Sequence, residues 1–286
     1  MYKISIVTAT YNSEKTIEQT ITSVIRQDYN NIEYIVVDGK STDDTMKIIG
    51  KYAGYGIKWI SEEDSGIYDA FNKGIDISTG DYIYFLGSDD ALYSKSTITN
   101  VVDNLEANID VLSAAVMVVD GKSGKQYPVF NSHAKSREFF NGRMVPHQGM
   151  FCRTELLKKN KFDTKYKIAA DYKLFLQLYF DDKVAINFIE EIVAFYADDG
   201  ISNDYELCNY ENEMICKELN ISFARYNFTN KFKNYVKCVL KGLRILNFIF
   251  KIKKYIGKSI SRRFIWEKHT CDNEICRWCR RGLLNQ

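Results

Sequence analysis

Four apolar runs recur about every 25 residues in the first third of the chain, and segments with helical spacing lie between them. The runs cover residues 4–9, 32–37, 57–60 and 82–86. The apolar positions at helical spacing are Ile17, Ile21, Val24 and Ile25, then Met46, Ile48 and Ile49, then Tyr68, Phe71 and Ile75. Strands that alternate with helices form a mostly parallel sheet with helices on both faces. The pattern therefore predicts an α/β fold.

The spacing changes after residue 90. The pattern predicts a helix at about 95–105, a strand at 111–119, a hairpin at 120–124, a helix at about 170–181 and two short strands at 184–189 and 192–197. From about residue 205 onward the chain reads as mostly helical. It contains no internal repeat and no low-complexity linker.

Acidic residues follow two of the apolar runs directly. Asp89 and Asp90 come after the run that ends at Leu86, and Asp38 comes after the run that ends at Val37. Ligands of open α/β sheets gather at the carboxyl ends of the strands, and hard cations that bridge phosphates take carboxylate oxygens. We therefore expect a phosphate ligand and a divalent cation at this edge. The alternative for such a pair is a solvated acidic turn.

The net charge of +2 hides a strong separation between the body and the C-terminal region. Residues 231–286 hold 15 Lys and Arg against 3 Asp and Glu, a net of +12, which leaves −10 for residues 1–230. Between 231 and 263 the basic residues accompany bulky apolar residues at helical spacing. This pattern indicates an amphipathic helix on an anionic membrane surface. The alternative is a helix packed on the acidic body. Binding to nucleic acid is a third and weaker interpretation, because no recognised binding module accompanies the charge.

The N-terminus reads as a strand rather than as a secretory leader, and no apolar run is long enough to span a bilayer. The odd number of cysteines, seven, indicates reduced thiols and a cytoplasmic location. A zinc site is chemically possible at the C-terminal cluster, although the spacing lacks a second knuckle of usual form. That cluster comprises His269, Cys271, Cys276 and Cys279.

Five segments in order resemble glycosyltransferase family 2, the inverting enzymes with the GT-A nucleotide-sugar fold. They are ISIVTATYN, VVDGKSTDDT, EEDSGIYDAFNKGI, GDYIYFLGSDD and PHQGMFCR followed by AADYKLFLQL. The resemblance covers about residues 1–200 and is strongest to bacterial enzymes that build capsule, exopolysaccharide or O-antigen. It implies a catalytic domain at 1–205 and a helical, membrane-associating region at 206–286, peripheral at the inner face of the cytoplasmic membrane.

The resemblance also implies a role for individual residues. The family positions that bind the donor nucleotide, with uridine favoured as its base, correspond to Thr8, Tyr11, Asp38, Asp64, Lys73, Ser88 and Asp89. Asp90 falls at the ligand position for Mg²⁺ or Mn²⁺, and Asp171 at the position of the general base. His147 and Gln148 match a pair near the acceptor or the diphosphate. Residues 200–202 resemble a weaker motif, a loop that closes over the site, and His133 is interpreted as a loop residue.

The implied reaction moves a hexosyl or N-acetylhexosaminyl group from a nucleotide-sugar to a saccharide or lipid-linked saccharide. A catalytically degenerate nucleotide-sugar-binding subunit docked on the membrane is the alternative, and retention of Asp90 and Asp171 argues against it. A nucleotidyltransferase or a nicotinamide enzyme should carry a glycine-rich loop after its first strand. Residues 8–12 contain no glycine there.

Overall fold

The computed structural model describes residues 1–121, 124–131, 140, 144–197 and 204–222. In these residues nine strands form one sheet. The strands are β1 (Ile4–Thr10), β2 (Ile32–Asp38), β3 (Lys58–Ser61), β4 (Tyr82–Phe85), β5 (Ala91–Leu92), β6 (Val111–Val119), β7 (Gln126–Val129), β8 (Met150–Arg153) and β9 (Ile186–Ala197). The helices are α1 (Ile17–Ile25), α2 (Thr45–Lys51), α3 (Ile67–Ile77), α4 (Thr97–Asp103), α5 (Thr154–Asn160), α6 (Ala170–Tyr179) and α7 (Tyr205–Glu218).

The first four strands form the predicted parallel part of the sheet, in the spatial order β3-β2-β1-β4. Strand β1 is central and buried along its whole length, as expected for a parallel strand covered on both faces. Its register pairs Thr10 with Asp38 of β2. The carboxyl ends of β1, β2 and β4 therefore lie along one edge of the sheet.

Beyond β4 the sheet is mixed. Strand β8 runs antiparallel to both β4 and β6, while β9 runs parallel to β6 and antiparallel to β5. The prediction of two short strands at 184–189 and 192–197 is wrong, because Ile186–Ala197 forms one continuous strand. Its register shifts against β6 between Ser113 and Val116, and such a β-bulge bends a strand without ending it.

Two hydrophobic clusters cover the two faces of the sheet, which confirms the predicted layers. One cluster takes side chains from α1, α2 and α4, including Ile21, Ile49 and Ile98. The other takes side chains from α3, α5, α6 and α7, including Phe71 and Ile215. The second cluster forms the floor beneath the residues with predicted chemical roles.

Helix α7 lies beyond the predicted domain boundary at 205/206, yet Ile215 and Cys216 are buried in the same cluster as α3 and α6. The boundary itself stays a prediction. Within the described part of the chain, no helix is long and apolar enough to cross a bilayer. The basic segment 231–263, the His269–Cys279 cluster, His133 and the 200–202 loop lie outside the described residues.

Candidate active site

The loop that follows β1 is hydrogen-bonded to the loop that follows β2. Asn12 has a positive φ of 48°, and its side-chain oxygen accepts a hydrogen bond from the Thr42 amide at 2.9 Å. Tyr11, just before it, is 63% exposed, so its ring is free of the core and open to a flat ligand. Thr8 is instead fully buried, and its hydroxyl accepts a hydrogen bond from the Tyr34 hydroxyl at 3.3 Å.

Thr10 is a polar residue of this edge that the sequence motif did not single out. Its hydroxyl oxygen is buried and has no hydrogen-bond partner within the described residues. A buried polar atom of this kind calls for an explanation, such as a ligand or a water. No sequence signal separates Thr10 from Thr8, because both are threonines of the same strand, β1.

Asp38 is fully buried at the end of β2. Its carboxylate accepts hydrogen bonds from the Ser41 amide at 3.0 Å and from the Ser61 hydroxyl at 2.6 Å. The Ser41 hydroxyl donates to the other carboxylate oxygen at 2.5 Å. These bonds fix the loop that follows β2 and hold Asp38 in one orientation.

The side chain of Asp64, which precedes α3, reaches the loop after β2. One of its oxygens accepts a hydrogen bond from the Gly66 amide at 3.0 Å. The other lies 2.5 Å from the point where a Cβ at Gly39 would stand, so a side chain at this position would displace the Asp64 carboxylate. The N-cap of α3 is Gly66.

Lys73, expected to contact phosphate, lies among acidic residues. Its ammonium donates to the Glu63 carbonyl at 2.6 Å and pairs with Glu62 at 3.0 Å. Burial disfavours its charge, but the hydrogen bond to Glu62 and the charge of Asp69 hold the pKa of Lys73 above its ordinary value. Lys73 is thus a fixed cation, and its contact with phosphate stays a prediction.

The carboxylates of Asp89 and Asp90 both fold over Gly87. A Cβ at Gly87 would lie 2.6 Å from Oδ2 of Asp90 and 3.0 Å from Oδ1 of Asp89. Asp90 is 2% exposed, and its Oδ1 accepts the Ala197 amide at 3.0 Å, whereas Asp89 is only partly buried. Ser88 lies beside them, with its hydroxyl 2.9 Å from that of Ser13.

The carboxylates of Asp89 and Asp90 are the candidate ligands of a divalent cation. No group of three His, Cys, Asp or Glu side chains with metal-binding geometry occurs among the described residues. Mg²⁺ is usually bound by one or two carboxylates together with substrate phosphates, however. The converging oxygens of Asp89 and Asp90 fit that arrangement.

Asp171 lies in the first turn of α6 and is held by three donors. Its Oδ1 accepts the Tyr68 hydroxyl at 2.9 Å and the Tyr172 amide at 2.8 Å, while its Oδ2 lies 3.0 Å from Nδ1 of His147. Burial and the charge of Asp171 raise the pKa of Tyr68 well above its ordinary value, so Tyr68 stays a donor.

His147 lies in a short 3-10 turn, His147–Gly149, that leads into β8. A Cβ at Gly149 would lie 2.2 Å from the Ala114 carbonyl, so the turn is pressed against β6. Burial lowers the pKa of His147, but the hydrogen bond and charge of Asp171, with smaller contributions from Asp90 and Asp89, raise it above its ordinary value. Both predicted acidic centres thus raise the pKa of one imidazole. Gln148 is buried, and its main-chain carbonyl accepts a hydrogen bond from the Tyr84 hydroxyl at 2.7 Å.

The structure therefore brings Asp171 and His147 together, and the charges of Asp90 and Asp89 make smaller contributions to the raised pKa of the same imidazole. Sequence analysis missed Tyr68 as a partner of Asp171. Tyr68 stands at an apolar position of α3, 103 residues before Asp171, and its pattern indicated only a core residue.

Residues 5–162 match the model of the family described as glycosyl transferase family 2, which is more than half of the chain. A PGL/p-HBAD biosynthesis glycosyltransferase of Mycobacterium bovis is 28% identical over 205 residues, covering 70% of this chain and 78% of that protein. The minor teichoic acid biosynthesis protein GgaB of Bacillus subtilis is 28% identical over 217 residues, covering 70% of this chain and 24% of that protein.

Solved structures agree on the fold. Residues 1–349 of S. aureus TarS, in complex with UDP-GlcNAc, align with a TM-score of 0.60 and 23% identity, covering 78% of this chain and 68% of that one. A mannosyltransferase of Pyrobaculum calidifontis, in complex with GDP-Man and Mn²⁺, aligns with a TM-score of 0.58 and 18% identity. It covers 78% of this chain and 66% of that one. At these identities the likeness establishes the architecture alone.

Proposed function

The chain belongs to glycosyl transferase family 2 and is a glycosyltransferase; we propose that it moves a hexosyl or N-acetylhexosaminyl group from a UDP-sugar, with inversion, to a hydroxyl of a saccharide acceptor. The named relatives act in the biosynthesis of teichoic acid and PGL. We place this chain in the synthesis of a bacterial surface polysaccharide, on a saccharide that is carried by a lipid.

The observation that supports the proposal most strongly is the environment of Asp171. A carboxylate that accepts bonds from Tyr68, His147 and the Tyr172 amide is fixed in one geometry. The charges of Asp90 and Asp89, which follow β4, also raise the pKa of its neighbour His147. A base and a diphosphate site that are both close to one side chain suit a single displacement at a sugar carbon.

In the proposed reaction the acceptor hydroxyl loses its proton to Asp171. The acceptor oxygen forms a bond to the anomeric carbon while the bond from that carbon to the diphosphate breaks, and the electron pair leaves with the diphosphate. Attack from the opposite face inverts the anomeric centre. A divalent cation held by Asp89 and Asp90 would stabilise the charge of the departing diphosphate.

The donor would lie along the carboxyl ends of β1, β2 and β4. Tyr11 offers an exposed ring for the base, and the loop fixed by Asp38 forms the wall beside it. We assign Thr8, buried in β1, and Asp64, whose carboxylate lies against Gly39 in the loop after β2, to the same donor site. Lys73 is the cation that we assign to the diphosphate, and His147 and Gln148 line the acceptor side.

The test is a donor screen. UDP-, GDP- and dTDP-sugars are incubated with Mn²⁺ or Mg²⁺, and the released nucleoside diphosphate is measured in wild type and in Asp171→Asn. We expect release from a UDP-sugar that depends on the cation and on Asp171, and NMR of the product should show an inverted anomeric centre. Release from no donor, despite cation-dependent binding of UDP, would favour a nucleotide-sugar-binding subunit without catalysis.

A further inference from the structure

Helix α7 supports the backbone that leads into α6. The side chain of Glu211 on α7 accepts the Lys167 amide at 2.8 Å through one oxygen. Its other oxygen accepts the amides of Ile168 and Ala169, each at 3.0 Å. One carboxylate thus satisfies three consecutive backbone donors directly before Asp171.

The start of α6 lacks a cap of its own. Its N-cap residue is Ala169, which makes no side-chain cap hydrogen bond. The first amides of a helix have no partner within the helix, and the helix dipole there favours a negative charge. Glu211, 42 positions away in sequence, accepts the amide of the N-cap residue Ala169 and brings a negative charge to the start of the helix.

Glu211 is 5% exposed and forms no ion pair within the described residues. A buried carboxylate is costly unless hydrogen bonds compensate it. The three amides provide that compensation. A glutamine has one side-chain acceptor oxygen, so it cannot satisfy both groups of donors.

We propose that Glu211 is a positioning residue for Asp171: it fixes the 167–169 segment so that Asp171 meets Tyr68 and His147. Its importance for turnover rests on the proposed function, whereas its geometric role does not. The residue lies beyond the 5–162 span that matches the family model, on a helix that the sequence assigned to a separate region. The catalytic unit therefore includes α7.

The chain offers a matched control on the same helix. Glu218 connects α7 to α6 through Lys173, which is itself nearly buried, and to the segment before α6 through the Tyr166 hydroxyl at 2.8 Å. Within the described residues Glu218 accepts none of the 167–169 amides, which bond to Glu211. Glu218→Gln thus weakens the α6–α7 contact without removing the support before Asp171. Glu213→Gln is the exposed control, because Glu213 pairs with Lys217 on the surface of α7.

The first experiment compares kinetics and thermal stability of the full chain. We expect Glu211→Gln to lower kcat by about 10- to 100-fold with little change in donor KM, since a displacement of about 1 Å can cost that much. Glu218→Gln should lose thermal stability and keep kcat, and Glu213→Gln should change neither. A loss of kcat that follows thermal stability across all three variants would overturn the proposal.

The second experiment needs no turnover. His147 reports the position of Asp171, because burial lowers the pKa of His147 while Asp171, with Asp90 and Asp89, raises it. NMR titration, with the resonance assigned through His147→Gln, should show a lower pKa for His147 in Glu211→Gln than in wild type. Glu211→Asp, whose shorter side chain reaches the amides less well, should shift it in the same direction and serves if the glutamine variant does not fold.

An unchanged titration of His147 in both Glu211 variants would overturn the geometric role. If Asp171→Asn keeps full turnover while Glu211→Gln lowers the pKa of His147, the assignment of the base fails and the positioning by Glu211 stands. The two claims are thereby separated.

Discussion

Nδ1 of His147 lies 3.0 Å from Oδ2 of Asp171, and the two residues form a hydrogen-bonded pair between the turn before β8 and the first turn of α6. Such a pair orients both partners: the carboxylate fixes the imidazole, and the imidazole donates to the carboxylate. Tyr68 donates to the other oxygen. The predicted base is therefore part of a network that spans three elements.

Asp171→Asn should keep donor affinity and lose turnover, because a base acts in the transition state and not in donor binding. We expect kcat to fall by about 10²- to 10⁴-fold, the usual contribution of a general base. Steady-state kinetics with UDP binding measured in parallel checks this. A variant that retains about a tenth of wild-type kcat or more would exclude Asp171 as the base.

Stability should depend on pH through His147. The folded-state pKa of His147 is raised, so its stabilising contribution is complete below the unfolded pKa of about 6.5 and is lost as pH rises through the folded value. Wild type should therefore exceed His147→Gln in stability most at low pH. Urea unfolding of both proteins across this range measures the difference. In an Asp171→Asn background the pH dependence should shrink, and its persistence there would assign it to another group.

Asp89 and Asp90 should differ in what their removal disrupts. Asp89→Ala should abolish Mn²⁺-dependent binding of UDP with little effect on folding, because Asp89 is partly exposed. Asp90→Ala should abolish the same binding and transfer, and should also cost about 1–3 kcal/mol of stability by leaving the Ala197 amide without its acceptor. Calorimetry and thermal denaturation separate the two effects. Unchanged Mn²⁺-dependent binding in both variants would refute the cation site.

Gly74→Ala should destabilise the protein by about 1–3 kcal/mol, the usual cost of overpacking a core. A Cβ at Gly74 would lie 2.4 Å from Cγ1 of Val7, which is fully buried on β1. Gly50→Ala is the matched control in α2, where a Cβ meets nothing within 4 Å. Urea unfolding should show Gly50→Ala to be neutral or more stable, since alanine favours a helix by up to about 1 kcal/mol over glycine.

Truncation after residue 230 should leave donor hydrolysis intact and abolish sedimentation with anionic vesicles. The segment 231–263 carries 11 Lys and Arg and no acidic residue. Each basic residue near an anionic surface contributes about 1 kcal/mol, so high salt should release the full chain. Vesicle binding that ignores both salt and truncation would contradict the membrane role. Unfolding of the truncated chain would instead assign the segment to the core.

The sequence predicted the parallel half of the sheet because that half is built from local repeats. The apolar runs at 4–9 and 82–86 are buried whole and the run at 32–37 almost whole, whereas Trp59 in the run at 57–60 is 40% exposed. Each following segment buries one face. Asp38 and Asp90 could be assigned to one edge for the same reason, since parallel strands end on the same side. The register of β1 with β2, which sets Thr10 opposite Asp38, agrees with that inference.

The second half was less predictable because charges interrupt the apolar pattern. Glu190 and Glu191 divide the run at 184–197, so the sequence predicted two strands. In the fold Glu190 is exposed, and the side chain of Glu191 accepts Asn100 of α4 at 2.6 Å. Both charges lie in the bulge between the pairs Ser113–Phe188 and Ala115–Ile192, and one strand continues through it, which only the packed neighbours could decide.

By itself the sequence determined the alternation of strands and helices, the acidic residues at the strand ends and the motif positions of Asp171 and His147. Each of these depends on neighbours within one turn or one strand. The tertiary structure alone decided that Tyr68 reaches Asp171 across 103 residues and that Glu211 of α7 holds the backbone amides directly before α6. Such contacts depend on how elements pack, because side chains far apart in sequence meet only when burial of the apolar faces brings their helices together.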